Sequence, residues 1–420
     1  MLDPARQLGR GVAYGTGSPS HLLNVRTIGM SAIAEQPAHF LQWAQGQGLT
    51  VTGSEFLPRH RYASYLRDAL AAAQLTAAPL VTLEHRRRLV TGIRQRSETG
   101  TFEVALDDGT ALAAHQVVLA TGNRPPRPRW LPDHPSVFGD PWRPGVAEAV
   151  SSMRSVLIVG SGLTAVDVVL SLRDRGFRGT AHLISTHGLL PAAHHDQVPT
   201  PRPPAVRPGE DAARTARGLV RALRADATTA DDWRQTVDGL RPVTVELWRD
   251  LPPDEQRRAM RHAMRHWEVR RHRMAPQVAA AVDELLRAGR ITLGRGRVER
   301  LEAFGDAIRA TVDHRGSSRT RDVDAAIVCV GPAADPAADP FLARLLATGI
   351  AARHPLGMGL DVERDGRVRA ADGNAWSRLW AVGSLRKGAE WESTAVPELR
   401  LHARDLAASL LGTDAVPRLG

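Results

Sequence analysis

The sequence predicts an α/β protein in which one architectural plan occurs twice, with a helical insertion inside the second copy. Three observations predict it. A small β-meander leading into a buried apolar strand occurs at residues 81–123 and again at 291–332. A glycine-rich turn leaves an apolar strand and opens a helix at Gly160. Between Pro191 and Leu286 the apolar spacing changes to that of helices.

The two meanders match element by element. The first has a short strand signal at 81–83, then Val90 and Ile93, a strand at 102–106, the turn Asp107-Asp108-Gly109, and the apolar run 117–120 capped by Thr121-Gly122. The second has Ile291 and Leu293, then Val298 and Leu301, a strand at 308–312, a turn at 314–316, and the run 326–330 capped by Gly331-Pro332. Asp-Gly between alternating residues is a strong hairpin signal, and Arg315-Gly316 is a weaker one. The closing apolar runs read as parallel strands buried on both faces.

The glycine turn has its full context. The run 155–159 leads into Gly160-Ser161-Gly162-Leu163-Thr164-Ala165, an amphipathic helix follows, and a second strand comes at 181–184. This is strand, G-x-G-x-x-A, helix, strand in about 30 residues, the size of a βαβ unit. Gly160 permits the turn, Gly162 lets backbone N–H groups approach a pyrophosphate, and Ala165 lets helix and strand pack closely. The helix N-terminus adds unpaired N–H groups facing the phosphates. The pattern predicts a Rossmann-like dinucleotide-binding domain, and the repeated meander predicts two of them. At the tip of the second strand, Ser185-Thr186-His187 offers no acid to hold a ribose 2′-hydroxyl, which favours NADP(H) over NAD(H); no arginine stands beside it in sequence.

The N-terminus lacks the corresponding turn. Gly9 and Gly11 follow no strand, and Asp3 falls where the second strand of a βαβ unit would end, the place of a ribose-binding acid. A first strand, glycine loop and helix are expected upstream of Asp3. Three explanations are open: a start codon assigned too far downstream, a decayed gene, or a remodelled first domain that lacks its dinucleotide. The first is preferred for the native gene product.

These residues carry a resemblance. Gly9-Arg-Gly-Val-Ala-Tyr-Gly15, His21-Leu-Leu-Asn24 with Met30-Ser31, His39-Phe-Leu-Gln-Trp43, Arg61-Tyr62 with Tyr65-Leu66, Ala120-Thr-Gly122, the Gly160 turn, Gly188-Leu-Leu-Pro191 and Trp391-Glu-Ser-Thr-Ala-Val-Pro-Glu-Leu-Arg400 together resemble bacterial FAD/NAD(P)-binding proteins, distant relatives of flavin-dependent N-hydroxylases and monooxygenases. The resemblance covers nearly all of the chain. It implies that FAD binds the N-terminal domain and that the C-terminus returns to complete it. Asp3, Gly11, Asn24, Met30, Ser31, Thr121 and Gly122 would then line the FAD site. Gly383, Ser384, Glu392 and Thr394 would close it near the flavin, ahead of a helix over about 394–411. NADP(H) would use Gly160, Ser161, Gly162, Thr164, Ala165 and Ser185. The implied domains are 1–150 plus 355–420 for FAD, and 151–354 for the nicotinamide cofactor with a helical insert at 205–288.

Within the insert, helical signals run over 213–225, 231–239, 241–248 and 253–269, with Pro252-Pro253-Asp254-Glu255 as a helix start. The insert is expected to roof a substrate pocket. His262 and His266, and His194-His195-Asp196, lack a metal-binding pattern and read as basic surface. Trp233, Trp248 and Trp267 read as core anchors. Arg271-His272-Arg273 is a candidate contact for an acidic substrate.

Composition bounds the remaining classes. The net charge is +10, yet Lys387 is the one lysine among 55 basic residues, a pattern of codon bias rather than of nucleic-acid binding. Cys329 is alone, which excludes an intrachain disulfide and any Cys-x-x-Cys redox centre; it reads as a small core residue. No apolar run approaches the roughly 18–20 residues of a membrane span, and Met1 leads into Asp3, Pro4 and Arg6 rather than an apolar leader, so the protein is expected in the cytoplasm. The expectation is an FAD- and NAD(P)H-using, monooxygenase-like oxidoreductase acting on a small molecule, with no nucleic-acid or membrane partner. The alternative is a nucleotide-binding remnant or regulator without flavin catalysis.

Overall fold

The computed structural model describes residues 1–96 and 100–412. The chain opens in extended backbone: Leu2 bridges Arg86 in parallel, and the Asp3 N–H donates to the Arg86 carbonyl at 3.2 Å. α1 (Gly11–Tyr14) is a single turn. α2 (His39–Gly46) and α3 (Arg59–Ala77) bring Phe40, Tyr62 and Tyr65 together with Met30 and Val396 in one aromatic-rich core. The strand expected at 81–83 does not form. Val81 is exposed there, and pairing comes instead at Arg86.

The first meander is β1 (Val90–Gln95), β2 (Phe102–Leu106) and β3 (Ala111–Ala114), antiparallel in that order, followed by β4 (Val117–Leu119). Gly109 turns the β2–β3 hairpin at φ +83, a conformation that disfavours any residue with a Cβ. β5 (Val137–Phe138) and α4 (Val146–Val150) lead to β6 (Ser155–Val159), α5 (Leu163–Asp174) and β7 (Thr180–Ser185), the expected βαβ unit.

The insert then adds α6 (Ala216–Thr229), α7 (Trp233–Gly239), α8 (Thr244–Asp250), α9 (Pro253–His262), α10 (Met264–Arg271) and α11 (Pro276–Arg287). The single helix expected over 253–269 is two helices, which meet at Ala263 (φ −116, ψ −38). α9 does begin at Pro253, with Asp254 and Glu255 in its first turn. There the acidic residues sit at the positive end of the helix dipole, and Glu255 also accepts from the Ala216 N–H at 2.9 Å.

The chain returns as β8 (Ile291–Arg295) beside β7, then forms the second meander, β9 (Arg297–Phe304), β10 (Ala307–His314) and β11 (Ser317–Val323), and closes with β12 (Ala325–Val328). α12 (Pro340–Ala347), β13 (Arg367–Arg369), β14 (Ala375–Ala381), α13 (Lys387–Glu390) and α14 (Val396–Leu411) complete the described chain.

The plan does occur twice. A five-stranded parallel sheet has the order β5-β12-β6-β7-β8, and a second sheet has β13-β14-β4 with β14 and β4 parallel. The closing strands differ in burial. β12 lies inside its sheet and is buried throughout, whereas β4 is an edge strand and leaves Val118 38% exposed, so the expectation of two-sided burial fails there. β6 and α5 bury Val156, Leu157, Ile158, Val166 and Leu170 almost completely, each contributing about 1.5–3 kcal/mol of apolar burial. No helix among the described residues is long and apolar enough to cross a membrane.

Candidate functional site

β6 delivers the chain into the Gly160 turn at the end of the parallel sheet. The Gly160 N–H donates to the Ile184 carbonyl at 2.7 Å, and its φ is +118. A Cβ at this position would stand 2.3 Å from the Cys329 carbonyl oxygen, so glycine is required both by conformation and by space. Gly162 is the opposite case: its backbone is extended (φ −82, ψ −171), and nothing lies within 4 Å of where a Cβ would be. That open side faces a cavity. Ala165 is fully buried under α5 and serves the helix–strand packing expected of it. Ser161 is not free to grip a ligand, because its Oγ lies 2.7 Å from Ser185 Oγ and donates to the Leu189 carbonyl at 2.6 Å.

The cavity measures about 820 Å³. It joins the Gly160 turn and Thr164 to Ser185 at the tip of β7, to Thr121 and Gly122 after β4, and to Ser384 and Thr394 near the C-terminus. The carboxyl ends of two sheets thus open onto one space, the place where α/β proteins bind ligands. Gly122 (φ +69) and Gly331 (φ +85) stand at equivalent positions after β4 and β12, both with nothing within 4 Å of a Cβ. Ser384 Oγ donates to the Gly122 carbonyl at 2.9 Å and ties the C-terminal segment to the end of β4. This open, glycine-lined backbone leaves room for a dinucleotide at the Gly160 turn.

The other residues expected to hold a cofactor lie outside this cavity. Asp3 ends the segment paired with Arg86, as a second strand would, and its carboxylate accepts from the Ala5 N–H at 2.8 Å. Gly11 opens α1 at φ +52 with open space around it. Asn24 offers its carbonyl to His194 Nε2 (3.0 Å). Met30 is core, and the buried Ser31 donates to its own loop at Ile33 and Gln36. Gly383 turns at φ +69 against Leu399. Glu392 is buried and committed: it accepts from Trp267 Nε1 (3.0 Å) and Arg271 Nε (3.2 Å).

The structure also gathers residues that sequence spacing did not single out. Arg265 reaches from α10 to the Leu189 carbonyl at 2.8 Å, and Arg297 lines the cavity from the start of β9. Arg295 pairs in register with Ser185. Arg265 and Arg295 lie near His187, whose pKa is lowered by burial and by His266, Arg265 and Arg295. The positive charge absent from the sequence next to Ser185 therefore comes from elements more than 75 residues away. Lys387 lines the same cavity with its ammonium 5.1 Å from the Trp391 ring centroid. As the one lysine in an arginine-rich chain, it was a signal available in the sequence. Arg271 and Arg273, read as contacts for an acidic substrate, are instead buried partners of Glu392 and Asp238. Cys329 is a buried thiol, raised in pKa by burial, in keeping with a core role.

Two histidines near the site are held neutral. Burial, then Arg271 and Lys387, push His272 down to about 3; burial, then Arg273, push His194 down to about 3. Their folded values lie below the unfolded value near 6.5, so the stability they contribute is present above pH 6.5 and is lost as pH falls toward 3. Urea unfolding measured at neutral pH and near pH 5 should show stability falling by about 1–2 kcal/mol per pH unit, and His272→Phe should flatten that slope.

The fold and the site define a class: a protein with two dinucleotide-binding halves whose strand ends share one cavity. Residues 1–124 match the FAD-NAD(P)-binding family model. No curated protein matches the sequence. Among solved structures, the FAD-bound cadaverine monooxygenase of desferrioxamine biosynthesis from Erwinia amylovora is similar over 99% of this chain and 89% of its own (TM-score 0.67, 14% identity). L-lysine 6-monooxygenase from Pseudomonas syringae is similar over 94% and 87% (TM-score 0.62, 17% identity). Ornithine N-hydroxylase from Kutzneria, solved with reduced FAD, NADP+ and L-ornithine, is similar over 98% and 92% (TM-score 0.61, 17% identity). The chain has the two-dinucleotide-domain fold of these flavin monooxygenases.

Proposed function

We propose that the protein is an FAD-dependent, NADPH-using oxidoreductase of monooxygenase type that acts on a small molecule. The observation that carries this reading is the shared cavity: the Gly160 turn, the Thr121-Gly122 strand end and the Ser384–Thr394 segment open onto the same 820 Å³. A nicotinamide seated from one half and a flavin seated from the other would meet there. The backbone N–H groups from Ser161 to Thr164 would hold the pyrophosphate of NADPH at the N-terminus of α5. Ser185, Arg265 and Arg297 take the 2′-phosphate. Thr121, Gly122, Ser384 and Thr394 position the flavin ring, with Asp3 toward its adenosine ribose. When bound, FAD supplies the redox chemistry. Neutral His272 and the side chain of Lys387 line the space beside it. The amines named for the similar structures make an amine the first substrate class to test.

Reconstitution with FAD tests the reading. Desalted protein should stay yellow, and NADPH added without oxygen should bleach the flavin absorption. Protein that binds NADPH yet loses all flavin on desalting would leave a nucleotide-binding protein without flavin chemistry. The phosphate assignment is checked separately. Arg297→Ala should weaken NADPH binding by about tenfold, the loss of one charge-assisted hydrogen bond, and change NADH binding less than about twofold. Equal losses for both nucleotides would remove Arg297 from the phosphate site.

A further inference from the structure

The helical insert contains a second cavity of about 270 Å³, separate from the dinucleotide space. α10 is the wall between them. Arg265, Glu268, Val269 and His272 face the dinucleotide cavity, while Met264, Trp267 and Arg270 face the second one. The second cavity is walled by Trp233, Trp248, Trp267 and Trp391, with aliphatic side chains from α6, α7 and α8 between them.

Its polarity is sorted. The interior is aliphatic and aromatic, and the charged or titratable side chains that line it are Arg224, Arg270, His262 and His266, all exposed. Among the described residues no carboxylate lines it, and neither Arg224 nor Arg270 has an acidic partner. An apolar floor under a basic rim complements a molecule with an apolar body and an anionic end. A diamine would leave an ammonium without a counter-charge.

Backbone conformation adds an independent observation. Trp391 has φ +55 and ψ −61, and the following Glu392 N–H donates to the Glu390 carbonyl at 2.6 Å, closing a three-residue γ-turn. This turn is rare and strained for a residue with a side chain, and such conformations concentrate at ligand sites. Here it places the indole on the cavity wall, 5.0 Å from the Trp248 ring, while the adjacent Lys387 lines the dinucleotide cavity.

We infer that this cavity binds a small carboxylate with an alkyl or aryl body, seated with its body among the four tryptophans and its carboxylate at Arg224 and Arg270. Pockets for drug-sized ligands span roughly 300–1,000 Å³, so 270 Å³ suits a body on the order of ten heavy atoms. α10 separates the bound molecule from the dinucleotide cavity, so this is a second ligand site beside the proposed redox site and not the place of its reaction.

The test is tryptophan fluorescence of the purified full chain, without added FAD or NADPH, titrated with octanoate, octanol and octylamine. These share one body and differ in charge. Octanoate should bind tightest, octanol several-fold more weakly, and octylamine at least about tenfold more weakly than octanoate. Arg224→Ala combined with Arg270→Ala should erase the advantage of octanoate over octanol and leave octanol unchanged. Ala227→Phe, which fills the cavity, should abolish binding of all three. Should that variant not fold, the two surface arginine changes still decide the matter. Octylamine binding as well as octanoate, no response to any of the three, or an octanoate advantage that survives the arginine changes would each overturn the assignment. Because neither cofactor is present, a failed flavin reconstitution leaves this result standing, and the converse also holds.

Discussion

Gly160→Ala should abolish NADPH binding and destabilise the protein by about 2–4 kcal/mol. Two independent penalties act at that position. The backbone sits at φ +118, outside the region open to residues with a Cβ, at a cost of about 1–3 kcal/mol. The added methyl would also stand 2.3 Å from the Cys329 carbonyl oxygen, in the residue that follows β12 and is tied to the end of β6 by its N–H, which donates to the Val159 carbonyl at 2.7 Å. The sheet must yield where the two central strands meet, and the turn that aims N–H groups at the pyrophosphate moves with it. Gly162→Ala is the control. Its backbone is extended and its Cβ would meet nothing within 4 Å, so stability should stay within about 0.5 kcal/mol of wild type. The methyl would project where a phosphate approaches, so NADPH affinity should still fall by about tenfold or more. Thermal unfolding and NADPH titration of both variants separate the two effects. A Gly160→Ala protein with unchanged stability and unchanged NADPH affinity would show that the turn is not a phosphate cradle.

The Gly160 turn was legible in sequence because everything that defines it is local: an apolar strand, small residues at fixed spacing and an amphipathic helix within about 30 residues. The repeated meander was legible for the same reason, since hairpin turns and alternating strands are short-range signals. What was not legible depends on distant partners. Arg271 and Arg273 read as free cations because Glu392 lies 121 residues from Arg271 and Asp238 lies 35 residues from Arg273. Arg297 and Arg265 reach the tip of β7 from a meander and from the insert, so no spacing rule links them to Ser185. Residues 81–83 carry strand-forming side chains but meet no partner, and a strand needs a neighbour more than it needs propensity. The cleft among the tryptophans is the extreme case. Trp233, Trp248 and Trp267 read one at a time are core anchors, and the cavity exists only once five helices and the turn at Trp391 are assembled.

Arg59→Ala should cost about 3–5 kcal/mol, more than any surface ion pair could. Arg59 Nη1 lies 2.7 Å from Asp167 Oδ2, with Asp167 only 4% exposed on α5, and Arg59 Nε donates to the Leu22 carbonyl at 3.1 Å. His21 joins the cluster: its Nε2 lies 2.9 Å from the Asp167 carbonyl and 2.9 Å from Ser171 Oγ, and its Nδ1 lies 2.7 Å from Thr16 Oγ1. This buried group fastens the N-terminal segment to the helix that begins at the glycine turn. Removing the guanidinium strands a carboxylate in the core, whereas removing both charges with Arg59→Leu and Asp167→Leu should restore much of the loss. The pH dependence has a definite sign. Burial raises the Asp167 pKa above 3.8, so folding favours its protonated form, and the stability this provides is full below pH 3.8 and lost as pH rises through the folded value. Without Arg59 to oppose burial, that value rises further. The gap between wild type and Arg59→Ala should therefore widen from acid toward neutral pH, even while His194 and His272 drive both proteins the other way. Urea unfolding of the pair across pH 4–7 measures that gap, and a difference that is small and flat over the range would show that Arg59 and Asp167 form no buried pair.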